Sequence, residues 1–200
     1  MSKYPPMGRR TEFDPARALE RATKLFWARG YSRTGLRDLL EVMGIGESSF
    51  YHAYGSKQRL YLACLKHYNA TVYGRRWAAF SAQPLVRDGV RHFFKTVLDD
   101  LDDPRTPNVC LMAGSLSADV LSAKELEKYV RTEMKTMEHA LVQRLELAKQ
   151  SAELPPSFPS AISAQVLVTF LQGFFRVART LNSRAQLEAQ LEVLLKGLGL

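Results

Sequence analysis

Two cysteines in 200 residues, Cys64 and Cys110, rule out a disulfide-stapled fold, and neither belongs to a CxxC pair. The four histidines, His52, His67, His92 and His139, form no HExxH or HxxxH spacing. Cys64 and His67 stand three apart, as two metal ligands could, but no third ligand is near them in the sequence. The GxSxG, GxxxxGKS/T and GxGxxG patterns are also missing. A metallohydrolase, a serine hydrolase and a nucleotide-loop enzyme are thereby disfavoured, and no catalytic residue, metal or cofactor is expected. No stretch approaches the ~18 apolar residues of a membrane span, and no basic-then-apolar leader opens the chain. A cytoplasmic protein without a membrane partner is the expectation. No segment alternates with period two between turns, which leaves an all-α fold.

What the chain does have is basic charge at one end. Lys and Arg number 28 against 20 Asp and Glu, a net charge of +8. Residues 1–80 carry 14 basic and 6 acidic side chains, whereas residues 81–200 carry 14 of each. A solubilising charge would be spread over the surface; a footprint for phosphates is local.

The stretch from Thr34 to Tyr61, TGLRDLLEVMGIGESSFYHAYGSKQRLY, carries the most information. Leu36, Leu39, Leu40 and Met43 repeat at i, i+3, i+4 and i+7, one apolar stripe of a helix opened by Thr34 as N-cap. Gly44-Ile45-Gly46 breaks it, with two residues that tolerate positive φ. Phe50 and Tyr54 then share one face of a segment of about eight residues, too short to be helical alone. Its other faces hold Glu47, Ser48, Ser49, Tyr51, His52 and Ala53, short or hydrogen-bonding side chains that suit the edges of bases in a major groove. The pattern is helix-turn-helix.

The remaining segments are read as follows. Residues 1–13 form a flexible arm with two prolines and three basic residues. Asp14-Pro15 starts a helix with Ala18, Leu19, Ala22, Leu25 and Phe26 inward, stopped by Gly30. Ser56 caps a long helix reaching about Ala79. Pro84 opens a second region, with a helix carrying Leu85, Val90, Phe93, Phe94, Val97, Leu98 and Leu101 up to Asp102-Asp103-Pro104. A short helix follows from Val109 to Val120, and a long one from Ser122, with Glu125 in capping-box position, to Gln150. SAELPPSFPS reads as a linker, and two last helices span Ala161–Leu181 and Ser183–Leu198.

Phe26, Gly30 and Tyr31, the Thr34 start, and Phe50-Tyr51-x-x-Tyr54-x-Ser56-Lys57 ahead of Leu60 resemble the N-terminal domain of the tetracycline-repressor (TetR) family over residues 14–68. The resemblance implies a dimeric transcriptional regulator, typically a repressor released from double-stranded operator DNA by a small-molecule effector. It divides the chain into a helix-turn-helix domain (14–55), a connecting helix (56–80) and an effector-binding and dimerisation domain (81–200). Carried over residue by residue, Thr34 and Lys57 would hold phosphates at helix N-termini, and Tyr51 and His52 would touch backbone and bases. Ser48 and Ser49 are short enough for base contacts, and Glu47 could accept from a cytosine amine. Glu47 departs from the family, many of whose members have Lys or Arg there.

The family's effector cavity gives the C-terminal aromatics and methionines a role: Trp77, Phe93, Phe94, Met112, Met137 and Phe174 as lining, His139 and Arg176 as polar anchors. Cys110 opens a helix in NVCLMAG, which resembles a GCLM-like run in family members that sense oxidants or electrophiles; a helix N-terminus favours thiol reactivity. Cys64, mid-helix, reads as core. Sensing through Cys110 is therefore one alternative to a ligand, and an architectural DNA-binding protein without effector is another. The connecting helix is expected to be the only element touching both domains. The dimer interface is expected on Val166, Phe170, Leu171, Phe174 and Val177 together with Leu187, Leu191, Leu194, Leu195 and Leu198.

Overall fold

A computed structural model of the chain describes residues 14–107, 109–178 and 183–200. The arm expected over residues 1–13 and the helix end expected at Leu181 lie outside them. All regular structure among the described residues is helical. The first three helices are α1 (Pro15–Arg29), α2 (Leu36–Met43) and α3 (Glu47–Tyr54). A near-continuous rod follows, α4 (Lys57–Tyr68), a π-helical turn (Asn69–Tyr73) and α5 (Gly74–Ser81). The rest comprises α6 (Val86–Asp102), the single-turn helices α7 (Leu111–Gly114) and α8 (Ala118–Leu121), α9 (Lys124–Gln150), α10 (Ser160–Val177) and α11 (Arg184–Leu198).

Local chemistry sets the helix starts. The Asp14 carboxylate accepts from the amides of Ala16 and Arg17, Ser56 accepts from Arg59, and Ser183 with Gln186 forms a capping box ahead of α11. Two expected caps are displaced. Gly35, not Thr34, is the cap of α2, because the Asp38 carboxylate accepts from the Gly35 amide. Ala123, not Ser122, precedes α9, because the Ser122 hydroxyl donates to the Asp119 carbonyl. In the turn between α2 and α3 only Gly44 is left-handed, at φ +68°; Gly46 is extended. Leu85 was expected inside, but as the cap residue of α6 it is exposed.

One hydrophobic core runs the length of the molecule. At the N-terminal end α1 packs on α2 and α4, burying Phe26, Leu39, Phe50, Leu60 and Cys64 completely. Burial pushes the Cys64 thiol up to about 12, which keeps it protonated, as a core role requires. At the other end α6 packs on α5, α9 and α11, and α9 on α10; Val97, Leu126, Leu145 and Leu195 are fully buried. The supposed linker 151–160 is pinned by Leu154 and Phe158, both buried. The single helix expected over 109–120 is two short ones, α7 and α8, bent apart at Ser115–Ser117.

Candidate nucleic-acid interface and effector cavity

Phe50 is fully buried and Tyr54 half-buried, so α3 is fastened by the stripe its sequence carries. The opposite side is open. Glu47, Ser48, Tyr51 and His52 are exposed and Ser49 is half-buried. Ser48, Tyr51 and His52 are related by i, i+3 and i+4, so they share one outward face. The Tyr51 ring, 49% exposed, packs edge-on to Phe50 at 5.4 Å, which limits its freedom before any partner is met. Lys57 begins α4 beside this face, its ammonium 4.4 Å from the centre of the Tyr31 ring. Partial burial lowers the Lys57 pKa, and the Asp119 carboxylate works against that shift. Thr34 is placed differently from expectation. It is 0% exposed, and its hydroxyl donates to the Gly30 carbonyl at 2.7 Å, so it pins the α1–α2 turn instead of facing outward.

The connecting rod, expected to be the only element joining the two ends of the molecule, is not alone in doing so. The segment carrying α7 and α8 docks on α1, on the turn after it and on α4. The Trp27 indole donates to the Val109 carbonyl, Ser32 hydrogen-bonds the Asp119 carboxylate, and Tyr61 and Ser115 share a hydrogen bond of 2.8 Å between their hydroxyls. Hydrogen bonds from Ser117 and Ser32 lower the Asp119 pKa. The same segment also reaches, through Cys110 and Met112, a cleft lined by α9 and α10.

Two contiguous clefts lie between α5, α6, α9 and α10. One is apolar, walled by Trp77, Phe80, Phe94, Leu141, Leu167 and Val168 among others. The other is mixed, walled by Tyr68, Asn69, Arg76, Cys110, Met112, Glu133, Met134 and Gln172. Tyr73, Phe93, Met137 and Leu171 line both. Each admits a water-sized sphere over only about 30 Å³, so the clefts are narrow. Of the residues expected to line a cavity, Trp77, Phe93, Phe94, Cys110, Met112 and Met137 do so. Phe174 stands behind the wall, edge-on to Phe94 at 5.1 Å. His139 is exposed, because two residues beyond the inward Met137 a helix faces the other way. Arg176 is exposed too and borders an open groove beside Arg29 and Arg33, not the clefts.

Sequence reasoning missed the polar half. Arg76, one of the basic residues in the charge surplus of residues 1–80, is 2% exposed and forms a two-pronged pair with Asp100 at 2.8 and 3.0 Å. Its remaining nitrogen donates to the Tyr68 hydroxyl at 3.2 Å, and that hydroxyl in turn donates to the Cys110 sulfur at 3.6 Å. Asn69 donates to Glu133 and to Tyr129, both at 3.0 Å. No His, Cys, Asp or Glu cluster among the described residues could hold a metal.

A short, fastened helix with an outward polar face, next to basic charge and joined by a rod to a helical body with a cavity, defines a helix-turn-helix DNA-binding regulator. Residues 18–64 match the family described as bacterial regulatory proteins, tetR family. An uncharacterized HTH-type transcriptional regulator of Bacillus subtilis (strain 168), YezE, is 36% identical over 152 residues, 74% of this chain and 76% of that protein. The chain belongs to the TetR family, a family of transcriptional regulators and not of enzymes. The HTH-type transcriptional repressor ComR of Escherichia coli (strain K12) is 27% identical over 173 residues, 86% of this chain and 82% of that one. Among solved structures, a cysteine mutant of the TetR-family regulator CifR complexed with 26-bp double-strand operator DNA superposes with a TM-score of 0.86 at 26% identity, covering 94% of this chain and 98% of that one.

Proposed function

We propose that this DNA-binding regulator is a repressor that leaves its operator when a small apolar or aromatic molecule enters the cleft between α5, α6, α9 and α10. The observation that carries this reading is the Tyr73–Trp77–Phe93–Met137 wall. It belongs partly to the rod that continues into the DNA-binding end, so a ligand that widens the cleft acts directly on the lever. In this reading residues 14–55 read DNA, 56–80 transmit and 81–200 bind the effector and dimerise. Ser48, Ser49, Tyr51 and His52 meet the groove, Glu47 accepts from a cytosine, and Lys57 with the N-terminus of α4 meets phosphate. The relatives support it, one being named a repressor and another standing on operator DNA. An architectural protein would have no use for the cavity.

The test is a gel-shift on a duplex selected from a random pool. Lys57→Ala should weaken binding to all duplexes alike, by about tenfold, and Ser49→Ala or His52→Ala should change the preferred sequence. Unaltered shifts with both Tyr51→Ala and Lys57→Ala would place the DNA site elsewhere.

A second reading is favoured by the position of Cys110 in the wall of the same cavity, where its oxidation or alkylation would do the ligand's work. Release by a mild oxidant that vanishes in Cys110→Ser supports the thiol. Release by an apolar compound that persists in Cys110→Ser supports the ligand.

A further inference from the structure

Two polar atoms in the mixed cleft have no hydrogen-bond partner among the described residues, the Tyr73 hydroxyl and the Gln172 side-chain oxygen. Buried polar groups are nearly always paired, because leaving one unpaired forfeits its hydration without return. Among the described residues three buried side-chain oxygens lack a partner; two of them belong to this one cavity, and the third is the Ser160 hydroxyl at the start of α10. The Gln172 amide nitrogen fares little better, meeting only the Met134 sulfur at 3.8 Å. The other polar groups of the same wall are satisfied: Arg76 by Asp100 and Tyr68, Glu133 by Asn69.

Tyr73 closes the π-helical turn and Asn69 opens it. A π turn inserts extra backbone into a helix, and such insertions concentrate at functional sites. Here the insertion separates α4 from α5 within the stretch, Tyr68 to Phe80, where the rod borders the cavity. Met134 and Met137, the most adaptable of apolar side chains, form the facing wall. A narrow cleft with these walls can widen.

We propose that the occupant is a small uncharged amphiphile, an aromatic or apolar body carrying one hydroxyl, whose head group bonds Tyr73 and Gln172 while its body enters the apolar cleft beside Trp77 and Phe94. This deepens, and rests on, the ligand-released reading above. A hydroxyl both donates and accepts, so a single group serves the Gln172 oxygen and the Tyr73 phenol. The two waiting groups, a phenol and an amide, are neutral, and an anion is disfavoured because Arg76 is already neutralised by Asp100 while the Glu133 carboxylate would repel it.

Phenol and toluene have nearly the same shape and differ in the hydroxyl, so they serve as probes. Water holds phenol more strongly than toluene, and an apolar cavity therefore selects toluene; only a cavity with waiting partners reverses the order. Calorimetric titration into the full chain should show phenol bound about tenfold tighter than toluene. In the double variant Tyr73→Phe with Gln172→Leu the order should invert, with toluene binding retained as proof of folding. The proposal is overturned if toluene equals phenol in the unaltered chain, if the preference for phenol survives the double substitution, or if neither binds up to the solubility of toluene. Operator release is read separately by gel-shift. Phenol preference without release sustains this site and removes the release reading. Release by other compounds, with phenol and toluene ranked alike, does the reverse.

Discussion

At the scale of the residue, the Arg76–Asp100 pair shows how an interior charge is made tolerable. Arg76 spends its guanidinium on both edges of one carboxylate oxygen and on the Tyr68 hydroxyl, and its planar face lies 5.4 Å from the centre of the Phe175 ring. The second Asp100 oxygen accepts from Arg75 at 2.6 Å. Removing one member of such a pair strands the other without water, which costs about 3–5 kcal/mol. Asp100→Ala should therefore destabilise the fold by about that amount in urea denaturation. Arg75→Ala should cost no more than about 1 kcal/mol, since the Arg75 side chain is 57% exposed and solvent screens its charge. Equal losses in the two variants would mean that the pair is not insulated from water as its burial indicates. Nothing in the local pattern Arg75-Arg76-Trp77 separates the two arginines. Only the packing of α5 against α6 decides which of the neighbours turns inward.

At the scale of the element, that same packing depends on one glycine. Gly89 of α6 faces α5, and a Cβ there would stand 2.9 Å from the backbone oxygen of Phe80 and 3.0 Å from its ring. In a free helix glycine to alanine gains roughly 1 kcal/mol; here the clash with backbone should outweigh it by about 1–3 kcal/mol. Gly89→Ala is expected to lower the melting temperature, while Gly114→Ala, with open space around its Cβ position, should not lower it in this way. The elements of the DNA-binding end were legible because their signals are local: a cap at Asp14, the Leu36–Met43 stripe, the Gly44 turn and the Phe50/Tyr54 face. The candidate cavity was half legible. Trp77, Phe93, Met112 and Met137 stood out as large apolar side chains, but Tyr73, Asn69 and Gln172 matter through a π turn and through partners on other helices. No periodicity announces either. His139 and Arg176 were misplaced although each lies two residues from a buried side chain, Met137 and Phe174, a spacing that turns a helix to its other face. The segment 109–121 read as one helix, and its docking on Trp27, Ser32 and Tyr61 spans sequence separations that pattern reading does not reach.

At the scale of the molecule, the apolar surface of α10 and α11 asks for a partner. Half of the residues expected at a dimer interface are spent inside the protomer: Leu171, Phe174, Leu187, Leu191 and Leu195 are buried. What remains outside is the other half of that set, joined by two residues it did not include. Ile162 is 61% exposed and Val193 73%, with Val166, Phe170, Leu194 and Leu198 half-buried alongside. α10 is also long and apolar enough to cross a membrane, by length and composition alone. Its packing along α9 fits instead a core helix, and we expect its outer face to meet a second copy. Two such helices from each protomer would form a four-helix interface about a two-fold axis. DNA binding makes the same demand. The eight residues of α3 reach only a few base pairs, and a two-fold pair reading half-sites a helical turn or more apart, about 34 Å, multiplies that recognition. The +8 surplus lies wholly in residues 1–80, where DNA would be met, and residues 81–200 balance. Ile162→Glu combined with Val193→Glu should therefore yield a folded monomer in sedimentation at micromolar concentration, with unchanged helical circular dichroism. The monomer should bind the selected operator at least about a hundredfold more weakly, because the second half-site no longer adds its free energy. A variant that stays dimeric would move the interface off this stripe. A monomer that binds as tightly as the unaltered chain would show that one recognition helix is enough.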